Sequence, residues 1–549
     1  MTPLSSLRRA AYAGAFLLGL SALPAHSATF TVTNLNDSGV GSLRQALIEA
    51  NTATGDDVVT FAPSLTGTIA LASPLRVSGG VTITGPGADK LTLDGKGTVQ
   101  GIVFSSGTSS LSGLTIANAF VGAPTMGAGL LNESVSALTL SQCRFANNKT
   151  RAGQGLYGSG GAIANIGVLK IKQCSFEKNT AGAVGGGAIY NANNLTVSDS
   201  TFRDNSAHLG GAIYNSNTLA LSNSTFDGNR VSSRTASESG TSYVFSGLGS
   251  AVYTQQIANV TNCTLFNNTV TGQTSSPSGE GENRPGAIYN VKGLLSLVNC
   301  TLSGNTDART GASADVRIGT LVNLDRVSCL NTVFVSSQSR PFFGFAAPPS
   351  GGDDKSNFFF ATNQSAGLDA LRSNGGAVAT MALLGTSPLR DAGHDLGSPP
   401  DDARGEFRPY GAGIDVGAFE AQDAPTPPTL SVNSPSIKEG NSGQTSLVFT
   451  LTLSRASVQT VSVLVNTAQG TAKAGSDYQS VPRGTVIFPP GTTKQTFTVK
   501  IVGDTIAESN EQFQLTMRSP VNATLATPSG TGTILNDDGA PIADSASSA

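Results

Sequence analysis

The chain has 549 residues, with 65 Gly, 25 Pro, no Trp, 13% charged residues and a formal charge of −3. That length exceeds one ordinary domain, and so much glycine with so little charge suits a turn-rich all-β protein rather than a helical one. The mildly acidic balance argues against nucleic acid or an anionic membrane surface as partner.

Residues 1–27 read as a signal peptide. Arg8 and Arg9 form its charged start, and Ala10 to Ala22 is an apolar stretch too short to span a bilayer. Ala25-His26-Ser27 then offers small residues where a signal peptidase cuts. No later segment is apolar enough to be a transmembrane span, so a secreted or cell-surface protein is expected. Residues 28–62 read as an N-terminal cap. Phe30 to Thr33 alternates as a strand, and Ser42-Leu-Arg-Gln45 has the form of a capping box. Leu43, Ala46, Leu47 and Ala50 follow at helical spacing. Such a helix would cover the open apolar end of a solenoid, which otherwise exposes its core and an unpaired edge.

Residues 63–422 read as that solenoid with its closing turns. An eleven-residue pattern, apolar-x-apolar-x-x-[Cys/Ser]-x-[Phe/Leu]-x-x-Asn, recurs six times, from Leu138 to Asn148 through Leu295 to Asn305. Three copies follow Gly-Gly-Ala-Ile, at Gly160, Gly186 and Gly210, and a shorter Gly-Ala-Ile stands at Gly286. Leu169 and Ile171 alternate with lysines, as do Cys174 and Phe176 with polar neighbours, so each unit holds two short strands. Lys172 and Gln173 must bend between them. Asn179 is expected to close the turn with left-handed backbone and a local bond to its own main chain. No unit shows a helical period, and each is too small to bury its own apolar face, so neighbours must stack. A parallel β-helix follows, with like residues about 4.8 Å apart; a propeller would need blades of about 40–45 residues. Phe145, Phe176, Phe202 and Phe226 should then form one continuous column.

Cys143, Cys174, Cys263 and Cys300 share the template position that Ser200 and Ser224 fill in the other copies. They are expected, with Cys329, as free core thiols rather than disulfides or metal ligands. Val231 to Ser246 and Thr271 to Arg284 break the spacing and read as projecting loops, where binding residues often sit.

Residues 423–428 form a Pro-rich linker, and residues 429–539 read as a sandwich of about seven strands; residues 540–549 read as a disordered tail. Strands are expected near Leu430–Ile437, Thr445–Leu453, Thr460–Asn466, Gly484–Phe488, Lys494–Val502, Gln512–Met517 and Gly530–Leu535. Because consecutive strands alternate in direction, Glu439, Asp477, Asp504, Glu508, Glu511, Asp537 and Asp538 should converge on one end. Converging negative charges repel unless a cation neutralises them. Oxygen ligands from several loops, without His or Cys, suit Ca²⁺.

Lys438-Glu439-Gly440, Gly470-Thr-Ala472, Asp477-Tyr478, Gly503-Asp504, Glu508-x-x-Glu511 and Ile534 to Asp538 resemble the Calx-beta domain. The resemblance implies an immunoglobulin-like sandwich with calcium ligands at Glu439, Asp477, Asp504, Glu508, Asp537 and Asp538. Calcium-rich members carry two Asp where this chain has Gly503-Asp504, which implies one or two ions. Ser42-Leu-Arg-x-Ala46 with Ala50-Asn51 and Asp56 to Phe61 resembles the CSLREA-type cap of bacterial secreted right-handed β-helix proteins. Ser387 to Gly393, Arg404-Gly405 and Asp415 to Glu420 resemble the end of a choice-of-anchor Q domain. The Gly-Gly-Ala-Ile and Phe-x-x-Asn repeats are similar to those of outer-membrane adhesins.

No nucleophile–base pair or phosphate loop stands out. His208 and His394 are isolated, and no Trp offers a sugar-stacking platform. Asp391, Asp395, Asp401, Asp402 and Asp415 read as turn formers. The chain is therefore expected to be a monomeric, exported binding or adhesion protein whose partner is an extracellular glycan or protein surface, with catalytic residues: none. The alternative is a polysaccharide-active β-helix enzyme, uronide lyase-like or glycosidase-like.

Overall fold

The computed structural model describes residues 27–539, apart from 123, 152–156, 183–184, 239–240, 246, 273–285, 292, 309–311, 314–315, 319–326, 336–341, 344–356, 423–426, 456, 458–459 and 490–491. The signal, most of the linker, most of the second inserted loop and the tail thus lie outside the described residues.

Three long parallel sheets wrap one core. The unit beginning at Ile163 shows the plan: Ile163–Asn165, Val168–Lys172 and Ser175–Glu177 follow in turn, and each pairs in register with its counterpart one coil on. The first of these strands belongs to the Gly-Gly-Ala-Ile segment, so each coil has three strands where the repeat suggests two. Gly186 shows why glycine precedes it: its φ is +72°, and a Cβ would lie 2.1 Å from the Ile189 carbonyl oxygen.

The phenylalanine column is present. Phe145, Phe176, Phe202 and Phe226 stack with centroids 5.1, 4.7 and 4.7 Å apart and rings within 6° of parallel. All four are fully buried, and each stacked pair adds about 0.5–1.5 kcal/mol to the burial of its rings. On the neighbouring sheet Tyr190, Tyr214, Tyr253 and Tyr289 stack outside the core, centroids 4.9–5.7 Å apart, and lie buried against Leu209 and Leu248.

The repeat asparagine plays a different part from the one expected. Left-handed backbone falls one residue earlier, at Asn147, Lys178, Asp204 and Asn267, and at the other bend on Gln142, Gln173 and Asp199. The asparagine itself points inward. Asn148, Asn179, Asn205, Asn229, Asn268 and Asn305 are fully buried. Asn179 Oδ1 accepts from both the backbone N–H and the Nδ2 of Asn148 at 3.0 Å, while Asn179 Nδ2 donates to Phe145 O at 2.9 Å. The bonds run between coils, not along the local chain. A side-chain amide can do this because it presents donor and acceptor at once, and each coil offers the next the same pair. A second ladder links Asn132, Asn165, Asn191 and Asn215 through Nδ2–Oδ1 bonds of 2.7 Å.

The cap is helical over Leu43–Thr52, and Leu43, Ala46, Leu47 and Ala50 are buried. Ser42 Oγ accepts from Gln45 N at 3.2 Å, but the Gln45 side chain turns to Glu49 at 2.8 Å, so only half of the expected capping box forms. The helix packs on Thr29–Val32, Asp57–Phe61 and Leu75–Val77. The first two of these strands pair with each other, and Asp57–Phe61 pairs with Val81–Thr84, so the cap segment also contributes rungs to the sheet. The first inserted loop is a hairpin, Arg234–Glu238 antiparallel to Thr241–Phe245.

All five cysteines are free and buried. Burial pushes the thiols of Cys263, Cys300 and Cys329 up, that of Cys300 to about 12. Because all five are closed to solvent, a thiol reagent should leave the native protein unlabelled and modify all five positions only in denaturant. Rapid labelling of the native chain would contradict this.

At the far end the chain folds back. Thr225 Oγ1 donates to Ala379 O at 2.6 Å, and Asn262 Nδ2 donates to Asp401 O at 2.7 Å. The closing segment holds a hairpin of Leu368–Arg372 and Thr380–Leu383 and a buried polar cluster. Arg408 bonds Glu420 Oε2 at 3.0 Å with both side chains fully buried. Asp402 bonds Arg404 at 2.8 Å. The aspartates read as turn formers divide here: Asp402 and Asp415 are buried acceptors of backbone N–H groups.

Among the described residues the C-terminal sandwich has nine strands where about seven were expected. One sheet runs in the order Lys494–Gly503, Gly443–Leu453, Thr429–Val432, Thr524–Thr527. The other runs Ser436–Lys438, Ser529–Leu535, Glu511–Val521, Val461–Gln469, Gly484–Phe488. The expected first strand is split: Thr429–Val432 lies in one sheet and Ser436–Lys438 in the other. Leu447, Phe449, Val463, Phe513 and Leu515 fill the core between them.

Candidate metal centre

Acids from four connections meet at one end of the sandwich. Glu439 follows Ser436–Lys438, and Asp504 follows Lys494–Gly503. Asp537 and Asp538 follow Ser529–Leu535. Glu508 and Glu511 lead into and begin Glu511–Val521. Asp477 is set by its neighbour: Tyr478 is buried and stacks on Phe513 with centroids 4.4 Å apart, which fixes the preceding carboxylate toward the acids.

Two overlapping groups result. Asp477, Glu508 and Glu511 each offer a carboxylate oxygen within 4.8 Å of the others. Calcium–oxygen distances are about 2.3–2.6 Å, so oxygens about 5 Å apart can share one ion. Glu439, only 5% exposed, lies in the field of Asp504, Glu508, Asp538 and Asp537. Burial and then those four charges hold its carboxyl above the usual range. Burial pushes Glu511 up to about 7, helped by its hydrogen bond to Asp477 and the charge there. Burial also works to raise Asp477, but the Lys473 N–H at 2.6 Å and the Ser476 hydroxyl outweigh it, and its carboxyl sits below the ordinary value.

The loops are braced around these groups. Asp537 Oδ1 accepts from Gly440 N at 3.0 Å, Asp504 Oδ1 from Ile506 N at 2.7 Å, and Asn536 Oδ1 from Glu508 N at 3.1 Å. Asn441 Nδ2 donates to Asp538. Yet Glu511 Oε2 and Asp538 Oδ2 are buried oxygens with no hydrogen-bond partner. Unpartnered buried carboxylate oxygens fit a hard cation, and the all-oxygen donor set fits calcium rather than zinc or copper.

The structure places Glu439 in the field of Asp504, Glu508, Asp537 and Asp538, and groups Asp477 and Glu508 with Glu511. Glu511 was visible as a converging acid but absent from the ligands implied by resemblance. Its signal was the three-residue spacing from Glu508, which the strand start at Glu511 folds back into the group. Gly503 explains the missing second aspartate: a Cβ there would lie 2.0 Å from Gly440 O.

Residues 423–539 match the Calx-beta domain family. The C-terminal sandwich is a Calx-beta domain. Residues 92–313 match the right handed beta helix region, so the described residues hold a right-handed parallel β-helix followed by a Calx-beta domain. The Calx-beta segment is similar to the crystal structure of the apo-form Calx CBD1 domain at 28% identity, covering 20% of this chain and 98% of that chain, with a TM-score of 0.18. It is also similar to the crystal structure of calcium binding domain CBD12 of CALX1.1 at 26% identity, covering 20% of this chain and 46% of that one, again with a TM-score of 0.18. A comparison with curated proteins finds no match. Among the described residues no helix is long and apolar enough to cross a membrane.

Proposed function

We propose that the Calx-beta domain binds one or two calcium ions through Glu439, Asp477, Asp504, Glu508, Asp537 and Asp538, with Glu511 as a further ligand, and that the chain is an exported, monomeric bacterial binding or adhesion protein of the extracellular space or cell surface. The observation that carries the calcium reading is the cluster of acids holding two buried, unpartnered carboxylate oxygens. A bound cation would supply positive charge that lets these groups ionise together, and would tie four loops into one rigid end.

Titration calorimetry of the full chain with calcium should give a binding heat at pH 8. Asp504→Ala with Asp538→Ala should weaken it by about a hundredfold, since each removes a charged ligand from a shared ion. Protonation of Glu511 competes with the ion, so affinity should fall between pH 8 and pH 6. No heat, or equal heat in the double variant, would sink the reading.

The adhesion reading is supported by the stacked solenoid, its inserted segments and the leader-like start. A glycan and cell-surface array probed with the full chain tests it. Robust release of unsaturated product from acidic polysaccharides would replace it with the lyase reading.

A further inference from the structure

One edge of the solenoid carries two outward columns side by side. The first is a run of in-register residues at the start of each third strand: Thr115, Arg144, Ser175, Thr201, Thr225 and, further on, Thr264 and Thr301. The second is the run of left-handed residues at the adjoining bend, from Gln142, Gln173 and Asp199 to Asn262 and Asn331.

Over the later coils these columns are covered by the chain's own closing segment, mostly through contacts to its main chain, with Asn331 also donating to Ser398 Oγ at 2.6 Å. Thr225 and Asn262 donate to the carbonyls of Ala379 and Asp401. Thr301 Oγ1 accepts from Ala418 N at 3.1 Å. Asn331 both donates to His394 O at 2.8 Å and accepts from His394 N at 2.7 Å. Over Arg144, Ser175 and Thr201 the first column is open, whereas Thr115 is buried and its hydroxyl donates to Ala88 O. A groove of about 590 Å³ there is floored by Arg144, Ser175 and Thr201 beside Gln142, Gln173 and Asp199. Asp89 closes it at one end and Ala377, where the closing segment comes down, at the other.

We infer that this open stretch docks an extended polypeptide segment of a partner protein, held by main-chain hydrogen bonds as the solenoid holds its own closing segment. The inference rests on reading the chain as a binding protein. Three coils from Arg144 to Thr201 span about 10 Å, which an extended peptide of about three residues covers. No aromatic side chain is among the groove's described lining residues, so a sugar ring has no stacking surface there. The charge of Arg144 is engaged by Glu177 at 2.6 Å, leaving Asp89 and Asp199 to favour a lysine or arginine on the peptide.

Panning a random peptide phage library on the full chain tests this. Selected peptides should carry a basic residue. Their Kd should rise at least about tenfold in Ser175→Arg with Thr201→Arg, which fills the groove, and in Asp199→Lys, which reverses its charge. An unchanged melting temperature and unchanged calcium heat show that each variant is folded. Failure to select any peptide, or selected peptides indifferent to both variants, overturns the assignment. A glycan array hit lost in the same variants would overturn the peptide assignment while leaving the binding role standing. Neither peptide nor glycan bound by the wild-type chain would remove both.

Discussion

Asn205→Ala is expected to destabilise the solenoid by about 2–4 kcal/mol, the cost of orphaning a buried donor and opening a small cavity. Asn205 Oδ1 accepts from both the backbone N–H and the Nδ2 of Asn179, and Asn205 Nδ2 donates to Phe176 O and Asn229 Oδ1. Alanine leaves the Asn179 N–H without that acceptor at a position closed to water. Asn205→Asp should be no better: it keeps the acceptor but turns the donor into a second oxygen facing Phe176 O and Asn229 Oδ1, and it buries a charge. Because coils contact only their neighbours, the loss should be local. Hydrogen exchange should show lower protection in the coils around Asn179, Asn205 and Asn229, with the sandwich unchanged. A destabilisation under about 1 kcal/mol, ordinary for a surface site, would mean that the ladder is ornament.

The second large effect concerns the closing segment. Glu420→Ala removes the acceptor of Arg408 Nη1, of Tyr410 N at 2.7 Å and of Asp415 N at 2.9 Å, and leaves a buried guanidinium without its counter-charge. Breaking one side of such a pair costs about 3–5 kcal/mol. Arg408 would keep its bonds to Asp415 O and Gly417 O, both 2.7 Å, which limits the loss to that range. The same group sets a pH dependence. Burial, then the charge of Asp415, pushes Glu420 up to about 7, while Tyr410 N–H and Arg408 pull it back. The folded state therefore holds this proton more tightly than the unfolded chain does. That contribution is fully present below about pH 4.5 and is lost as pH rises through about 7. Thermal melting of the solenoid at pH 5 and pH 8 should show this downward component in the wild type and not in Glu420→Ala. Equal melting of variant and wild type at pH 8 would refute the structural role of the pair.

Much of the candidate site was legible before any coordinates. Alternating strand direction put Glu439, Asp477, Asp504, Glu508, Asp537 and Asp538 at one end, and they meet there. Glu511 was harder to place as a ligand, because whether its oxygen reaches Asp477 depends on where the strand begins. The split of the expected first strand was likewise missed: Pro435 and the sheet change lie between Val432 and Ser436, inside what reads as one strand, Leu430–Ile437. In the solenoid the repeat revealed the stacking, the Phe column and the Cys–Ser column. It misassigned the asparagine, since a turn-former and an inward ladder residue share one letter.

Repetition and alternation alone determined that this chain stacks coils around an apolar core and ends in a sandwich with acids on one rim. Both follow from which side chains must leave water, and that is written in local spacing. Tertiary structure decided what spacing cannot carry: that Asn179 bonds across coils, that Arg408 and Glu420 are buried together, that the closing segment covers only part of the outer columns, and that Gly440 O occupies the space a side chain at residue 503 would need. Each of these depends on which distant backbone arrives beside a residue, and that is set by packing rather than by any neighbour in the chain.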